Sequence, residues 1–163
     1  MATQAMHAQM GGETAGPETL IPAGMVTFGL EYRTNVGGRD QGVCIHVYGN
    51  DIPGNDKELL RLDCFDLNPH YHYRNATIKQ NIRLELDFTA EGRPLPWAYD
   101  KIRNRLPMML MRCGANDIAA KIDQRDINAV MPKIIAVAET LTNQAREAAA
   151  PPKVERERPM RGH

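Results

Sequence analysis

Serine is absent from the 163-residue chain, which excludes chemistry on a serine nucleophile. Cysteine is scarce: Cys44, Cys64 and Cys113 form an odd set with no CxxC spacing. Such a set is neither a disulfide framework nor a zinc ribbon, and free thiols suit a reducing cytoplasm. A surplus of one charge is also missing. Lys plus Arg and Asp plus Glu number 20 each, for a formal net charge of zero. A general nucleic-acid coat needs a basic excess, so nucleic-acid binding is left to a local patch without support from net charge. No apolar run approaches the roughly 18 residues of a membrane span. Residues 1–22 lack the basic start and apolar core of a signal peptide. Gly-rich phosphate loops, GxSxG, HExxH and EF-hand loops are absent as well. The expectation is a cytoplasmic protein without membrane contact, whose partner is another protein or a small ligand.

What remains is an ordinary globular composition, 42% hydrophobic and 25% charged, of a length that suits one domain. Residues 1–22 carry Gly, Ala, Met, Gln and Thr without a sustained period and read as a disordered tail. Residues 148–163 are a polar, mildly basic tail: solvated by default, a weak anchor for an acidic partner otherwise. The domain is expected over 23–147.

Within it the hydrophobic period changes once. Val26, Phe28, Leu30 and Tyr32 alternate with polar residues, as do Val43, Ile45 and Val47, then Leu60, Leu62 and Cys64, then Ile82, Leu84, Leu86 and Phe88. Alternation marks half-buried strands, and the short turns between them favour an antiparallel meander. After Gly92-Arg93-Pro94-Leu95-Pro96 the period becomes helical. Trp97, Ile102, Leu106, Met109, Leu110 and Cys113 share one stripe, with Pro107 set to kink or restart the helix. Ile127, Val130, Met131, Ile134, Val137, Ala138 and Leu141 share another. Core is the preferred reading of the methionines in Pro107-Met108-Met109-Leu110-Met111, and an adaptable docking surface is the alternative. The fold class is therefore α+β, an antiparallel sheet of about four strands with C-terminal helices on one face. The opposite face would carry Thr27, Glu31, Arg33, Cys44, His46, Tyr48, Arg61, Asp63, Arg83, Glu85 and Asp87.

The segment with most chemical content is Cys64-Phe65-Asp66-Leu67-Asn68-Pro69-His70-Tyr71-His72-Tyr73-Arg74. Residues two apart on a strand share a face, which sets His70 and His72 side by side, roughly 6 to 7 Å apart at the backbone. Unbroken alternation from Leu60 and Leu62 would carry both imidazoles beneath the helices, where burial is unfavourable. Asn68-Pro69 offers a break that reverses the alternation. The expectation is that Tyr71 and Tyr73 pack inward while His70 and His72 join His46 on the polar face.

Three uses of this segment compete with a purely structural one, in which the histidines and tyrosines satisfy one another at a bend. The first is a divalent-metal site from His70, His72, His46 and Asp66, with Asp63 or Glu85 as nearby carboxylates, serving a metal-dependent hydrolase. The second is metal-free acid–base chemistry on a phosphodiester. There His70 and His72 titrate near neutrality, Arg74, Lys79 or Arg83 holds the phosphate, and Tyr71 or Tyr73 stacks on a base. The third is an accessory or ligand-binding module that uses Tyr71, Tyr73 and Arg83 without catalysis. The module with its site at His70-x-His72 is the favoured reading.

The stretches Leu60-Arg61-Leu62-Asp63-Cys64-Phe65-Asp66, Pro69-His70-Tyr71-His72-Tyr73, Pro94-Leu95-Pro96-Trp97 and Asn104-Arg105-Leu106-Pro107 resemble a family of small bacterial domains of unknown function carrying a C-F-D-x-x-P-H-Y-H motif. The resemblance covers roughly residues 25–142 and implies a fold without a mechanism. His70 and His72 also resemble the histidine-rich strand of TumE-like toxins, without their longer His/Arg run.

Overall fold

The computed structural model describes residues 12–53 and 57–152. Its centre is a seven-stranded antiparallel sheet. The strands are β1 (Thr14–Ala15), β2 (Thr19–Ala23), β3 (Val26–Val36), β4 (Asp40–Gly49), β5 (Glu58–Phe65), β6 (His70–Asn75) and β7 (Gln80–Glu85). Strands β3 to β7 form a meander in chain order, and β1 and β2 lie end to end along the outer edge of β3. Four helices follow: α1 (Phe88–Glu91), α2 (Pro94–Arg112), α3 (Asn116–Lys121) and α4 (Gln124–Ala149). Helix α4 packs on β2, β3 and β4, and α2 packs on β5, so the helices cover one face.

The expected class holds, but the strand count of about four does not. Residues 14–22, read from sequence as part of a tail, supply two strands, the second completed by Ala23. Each is too short to display a period, and Pro22 lacks the N–H that a central strand needs; on the sheet edge that donor is dispensable. Gly24, at φ 64°, turns β2 into β3 through a two-residue loop. Strand β6 is separate from β5 because residues 66–69, with Asn68-Pro69, form a hairpin turn that folds His70–Asn75 back antiparallel to β5. Strand β7 stops at Glu85, since the Asp87 carboxylate accepts from Thr89 and Ala90 N–H and starts α1 at Phe88. Helix α4 runs to Ala149, two residues into the second expected tail, and 1–11 and 153–163 lie outside the described residues.

The core is the alternating set read from the sequence. Phe28, Leu30, Ile45, Val47, Leu60 and Leu62 are fully buried against Ile102, Leu106 and Leu110 of α2 and Ile127, Met131 and Ile134 of α4. Among the methionines Met109 is core, whereas Met108 and Met111 are exposed. Pro107 does not break α2. It cannot donate to the carbonyl of Arg103, and the Gln124 side-chain amide donates there instead, at 2.8 Å. Asp123 caps α4 by accepting from Arg125 N–H.

Candidate functional site

Sheet register builds the site. On the face away from the helices, Glu31, Cys44, Asp63, His70 and Glu85 stand directly opposite one another across five strands. The next row is Gly29, His46, Arg61, His72 and Arg83. An acidic row thus lies against a row rich in imidazole and guanidinium. A bulge between β4 and β5 adds a residue on the β5 side, between Leu60 and Glu58, which brings Glu58 opposite Tyr48 and within reach of His46. Asp40 holds the β5–β6 turn by accepting from Leu67 and Asn68 N–H at 2.9 and 2.8 Å, and so aims His70.

The faces expected for His70 to Tyr73 hold, but a hairpin turn over 66–69 sets them rather than a break within one continuing strand. Tyr71 packs on Trp97 of α2, with ring centroids 5.0 Å apart, and Tyr73 lies under Arg112. His70 and His72 share the opposite face with His46. That face is not open, however. His46, His70 and His72 are 5%, 8% and 8% exposed, and Asp63 is 1% exposed. Aromatic rings close it from both ends: Tyr48 stacks on His46 at 5.5 Å, and Phe65 meets His70 edge-on at 5.5 Å. Gly29 makes room for this cover, since a Cβ there would sit 2.7 Å from the Tyr48 ring and collide with the Glu18 carboxylate that Tyr48 Oη bonds.

Asp63 is the centre of the arrangement. Its Oδ2 lies 2.9 Å from His70 Nε2, 3.2 Å from His72 Nε2 and 3.2 Å from Arg61 Nε. Its Oδ1 accepts from the Cys44 thiol. Burial would raise the Asp63 pKa, but the bonds from His70 and Cys44 and the Arg61 charge outweigh it and hold the carboxyl far below the usual range. Burial, reinforced by the Asp63 charge, pushes the Cys44 thiol up. His46 is held between carboxylates, Nδ1 to Glu58 at 2.7 Å and Nε2 to Glu31 at 3.0 Å. Burial acts to lower its pKa, and the two bonds reverse that, leaving it raised. For His70, burial likewise lowers and the bond to Asp63 raises, with a net rise.

The outer nitrogens of the pair are fixed as well. His70 Nδ1 faces the Asn68 carbonyl at 2.8 Å, and His72 Nδ1 faces Asn81 Oδ1 at 3.2 Å. Both oxygens accept, so both Nδ1 atoms carry hydrogen and both Nε2 atoms are left to face Asp63. Arg61 Nη2 is 2.9 Å from His72 Nε2. A guanidinium only donates, so that nitrogen presents a lone pair. The ligand atoms of Asp63, His70 and His72 lie within 4.8 Å of one another, as do those of Glu31, Cys44 and His46.

The other residues singled out from sequence stand apart. Asp66 is exposed, bonded by Gln41 at 2.7 Å, and lines a cavity of about 630 Å³ between the sheet end and the helices. Arg74 pairs with Glu58, and the exposed Arg83 pairs with Glu85. Tyr71 and Tyr73 belong to the helix side. Sequence reasoning placed Glu31, Cys44, Arg61 and Asp63 on the polar face without making them central, and it passed over Glu58. Their alternation was readable, but the register that makes Asp63 the meeting point was not.

The profile of the DUF7700 family, a domain of unknown function, matches residues 20–138. The chain belongs to this family. No curated protein and no solved structure shows a significant match. Membership agrees with the domain of unknown function expected from sequence, and the resemblance to TumE-like toxins has no counterpart among these matches. Among the described residues no helix is long and apolar enough to cross a membrane.

Proposed function

We propose that this domain is a small-ligand module that binds a divalent transition metal through Asp63 Oδ2, His70 Nε2 and His72 Nε2. One observation carries the reading: both imidazoles turn Nδ1 to carbonyl oxygens and Nε2 to the same carboxylate oxygen. An acceptor held against Nδ1 fixes the tautomer that a metal-binding histidine requires. The spacing supports it too. Ligands roughly 2.0–2.1 Å from a common ion, at right angles to each other, stand roughly 3 Å apart, and the two gaps from Asp63 Oδ2 are 2.9 and 3.2 Å. Two imidazoles and one carboxylate on one side of an ion leave coordination positions free, a set suited to Zn²⁺, Fe²⁺, Co²⁺ or Ni²⁺.

The slight exposure of the ligands favours a metal with water or a small anion over a large substrate. The nuclease-like use of the pair has less support, because Arg74 and Arg83 are engaged with Glu58 and Glu85 rather than turned to an open groove. The test is metal content by elemental mass spectrometry after loading the untagged protein and removing excess ion. Wild type should retain metal, and a His70→Ala/His72→Ala variant with unchanged circular dichroism should lose that ion. Absence of metal from wild type under non-chelating conditions overturns the reading.

A further inference from the structure

We infer that the same face holds a second metal position, built from Glu31, Cys44 and His46, and that the Asp63 carboxylate bridges it to the first. The inference rests on the metal reading above and extends it to a two-metal centre. Glu31 Oε1, Cys44 Sγ and His46 Nε2 come within 4.8 Å of one another, and Nε2 and Oε1 are 3.0 Å apart. His46 is oriented like a ligand. Its Nδ1 is held by the Glu58 carboxylate at 2.7 Å, a pairing that raises imidazole basicity and leaves Nε2 for an ion.

Asp63 supplies the connection. Its two oxygens face different groups: Oδ2 faces His70 and His72, and Oδ1 faces the Cys44 thiol. A carboxylate so placed can give one oxygen to each of two ions. The second position would then have Glu31 oxygen, Cys44 sulfur, His46 nitrogen and Asp63 oxygen, four donors that suit a closed tetrahedral ion such as Zn²⁺. The thiolate also biases it towards borderline and soft metals and away from Mg²⁺ or Ca²⁺. Loading balances by proton release. The Cys44 S–H bond is replaced by a sulfur–metal bond, the proton on His46 Nε2 is replaced by a nitrogen–metal bond, and both protons pass to solvent.

Sulfur gives the two positions different signatures. The first has no sulfur ligand, and Cys64 and Cys113 lie in the core on the helix side. A thiolate-to-cobalt charge-transfer band in the near ultraviolet therefore reports Cys44 alone. The experiment is titration of metal-stripped full-length protein with Co²⁺, following absorbance and bound metal. Two cobalt ions per chain are expected, with a charge-transfer band. Cys44→Ser keeps a hydroxyl to donate to Asp63, and it should fold, lose the band and hold one ion. One ion per chain with no charge-transfer band overturns the second position and leaves the first standing. A band that survives His70→Ala/His72→Ala, with wild type binding a single ion, keeps the Cys44 position and overturns the first. No bound cobalt overturns both.

Discussion

Replacing Asp63 by Asn removes a charge while keeping the shape, and the surroundings predict a large effect. The wild-type carboxylate accepts from His70, Arg61 and Cys44. Hydrogen bonds to charged groups contribute about 1.5–3 kcal/mol each. Removing one partner from a buried ion pair costs about 3–5 kcal/mol, because the other charge is left uncompensated. His70 can relieve part of this by giving up its proton, so about 3 kcal/mol is expected, a drop of roughly 6–12 °C in Tm for a domain of this size. The pH dependence has a definite sign. Asp63 has a lowered folded pKa, so its contribution is present above the unfolded value of about 3.9 and is lost as pH falls through the folded one. His70 has a raised folded pKa, so its share is full below about 6.5 and is lost as pH rises through the folded one. The gap between wild type and Asp63→Asn should be widest from about pH 4 to 6.5 and narrow on either side. Urea unfolding at several pH values, with the protein stripped of metal, measures it. A gap below about 0.5 kcal/mol at pH 5.5 refutes the view that Asp63 organises this face.

Arg61→Ala removes a cation that competes with a metal for Asp63 Oδ2 and His72 Nε2. Isothermal titration with Zn²⁺ should show tighter binding, on the order of tenfold or about 1.4 kcal/mol, and weaker binding would make Arg61 a support of the site. Gly29→Ala drives a methyl against Tyr48 and Glu18. The Tyr48–Glu18 bond should be lost, at about 1 kcal/mol, with a changed near-ultraviolet tyrosine dichroism signal; an unaltered spectrum counts against the aromatic cover. Phe28→Ala empties the centre of the core and should cost about 3–5 kcal/mol in urea unfolding, without changing metal stoichiometry in protein that remains folded.

The layers were legible because alternation and helical spacing each speak locally. Val43, Ile45 and Val47 announce one buried face, and Ile127, Met131 and Ile134 another. Asn68-Pro69 marked the change of face of His70 and His72, but the change comes from a hairpin whose register sets Asp63 opposite His70 and Arg61 opposite His72. Strands β1 and β2 were hidden because they acquire their identity only by pairing with β3. The site was half legible for the same reason. Asp63 and Asp66 look alike in sequence, and both flank Cys64-Phe65. Register sets one opposite His70 and sends the other to the rim of a cavity. Glu58 reaches His46 only through a bulge, a feature that no period announces.

Proton accounting ties these observations to a measurement. In the protein without metal, His70 below its raised pKa bears hydrogen on both nitrogens, with Asn68 and Asp63 both accepting. A metal at Nε2 must displace one of those protons. Below the raised pKa of His70, apparent affinity should therefore fall by about tenfold per pH unit, or about 1.4 kcal/mol. Above it, a centre with only Asp63, His70 and His72 should be flat in pH. The second position behaves differently. Burial and the Asp63 charge hold the Cys44 thiol protonated through neutral pH, so loading it releases a proton at every accessible pH and its affinity keeps rising towards alkaline conditions. Metal stabilises by about 2.7 kcal/mol at a hundredfold excess over Kd. A thermal-shift series in Zn²⁺ should accordingly rise with pH to a plateau for Cys44→Ser and continue rising for wild type. Identical flat profiles for both proteins would mean that neither histidine nor thiol gives up a proton to the ion, and that these buried groups serve the fold alone.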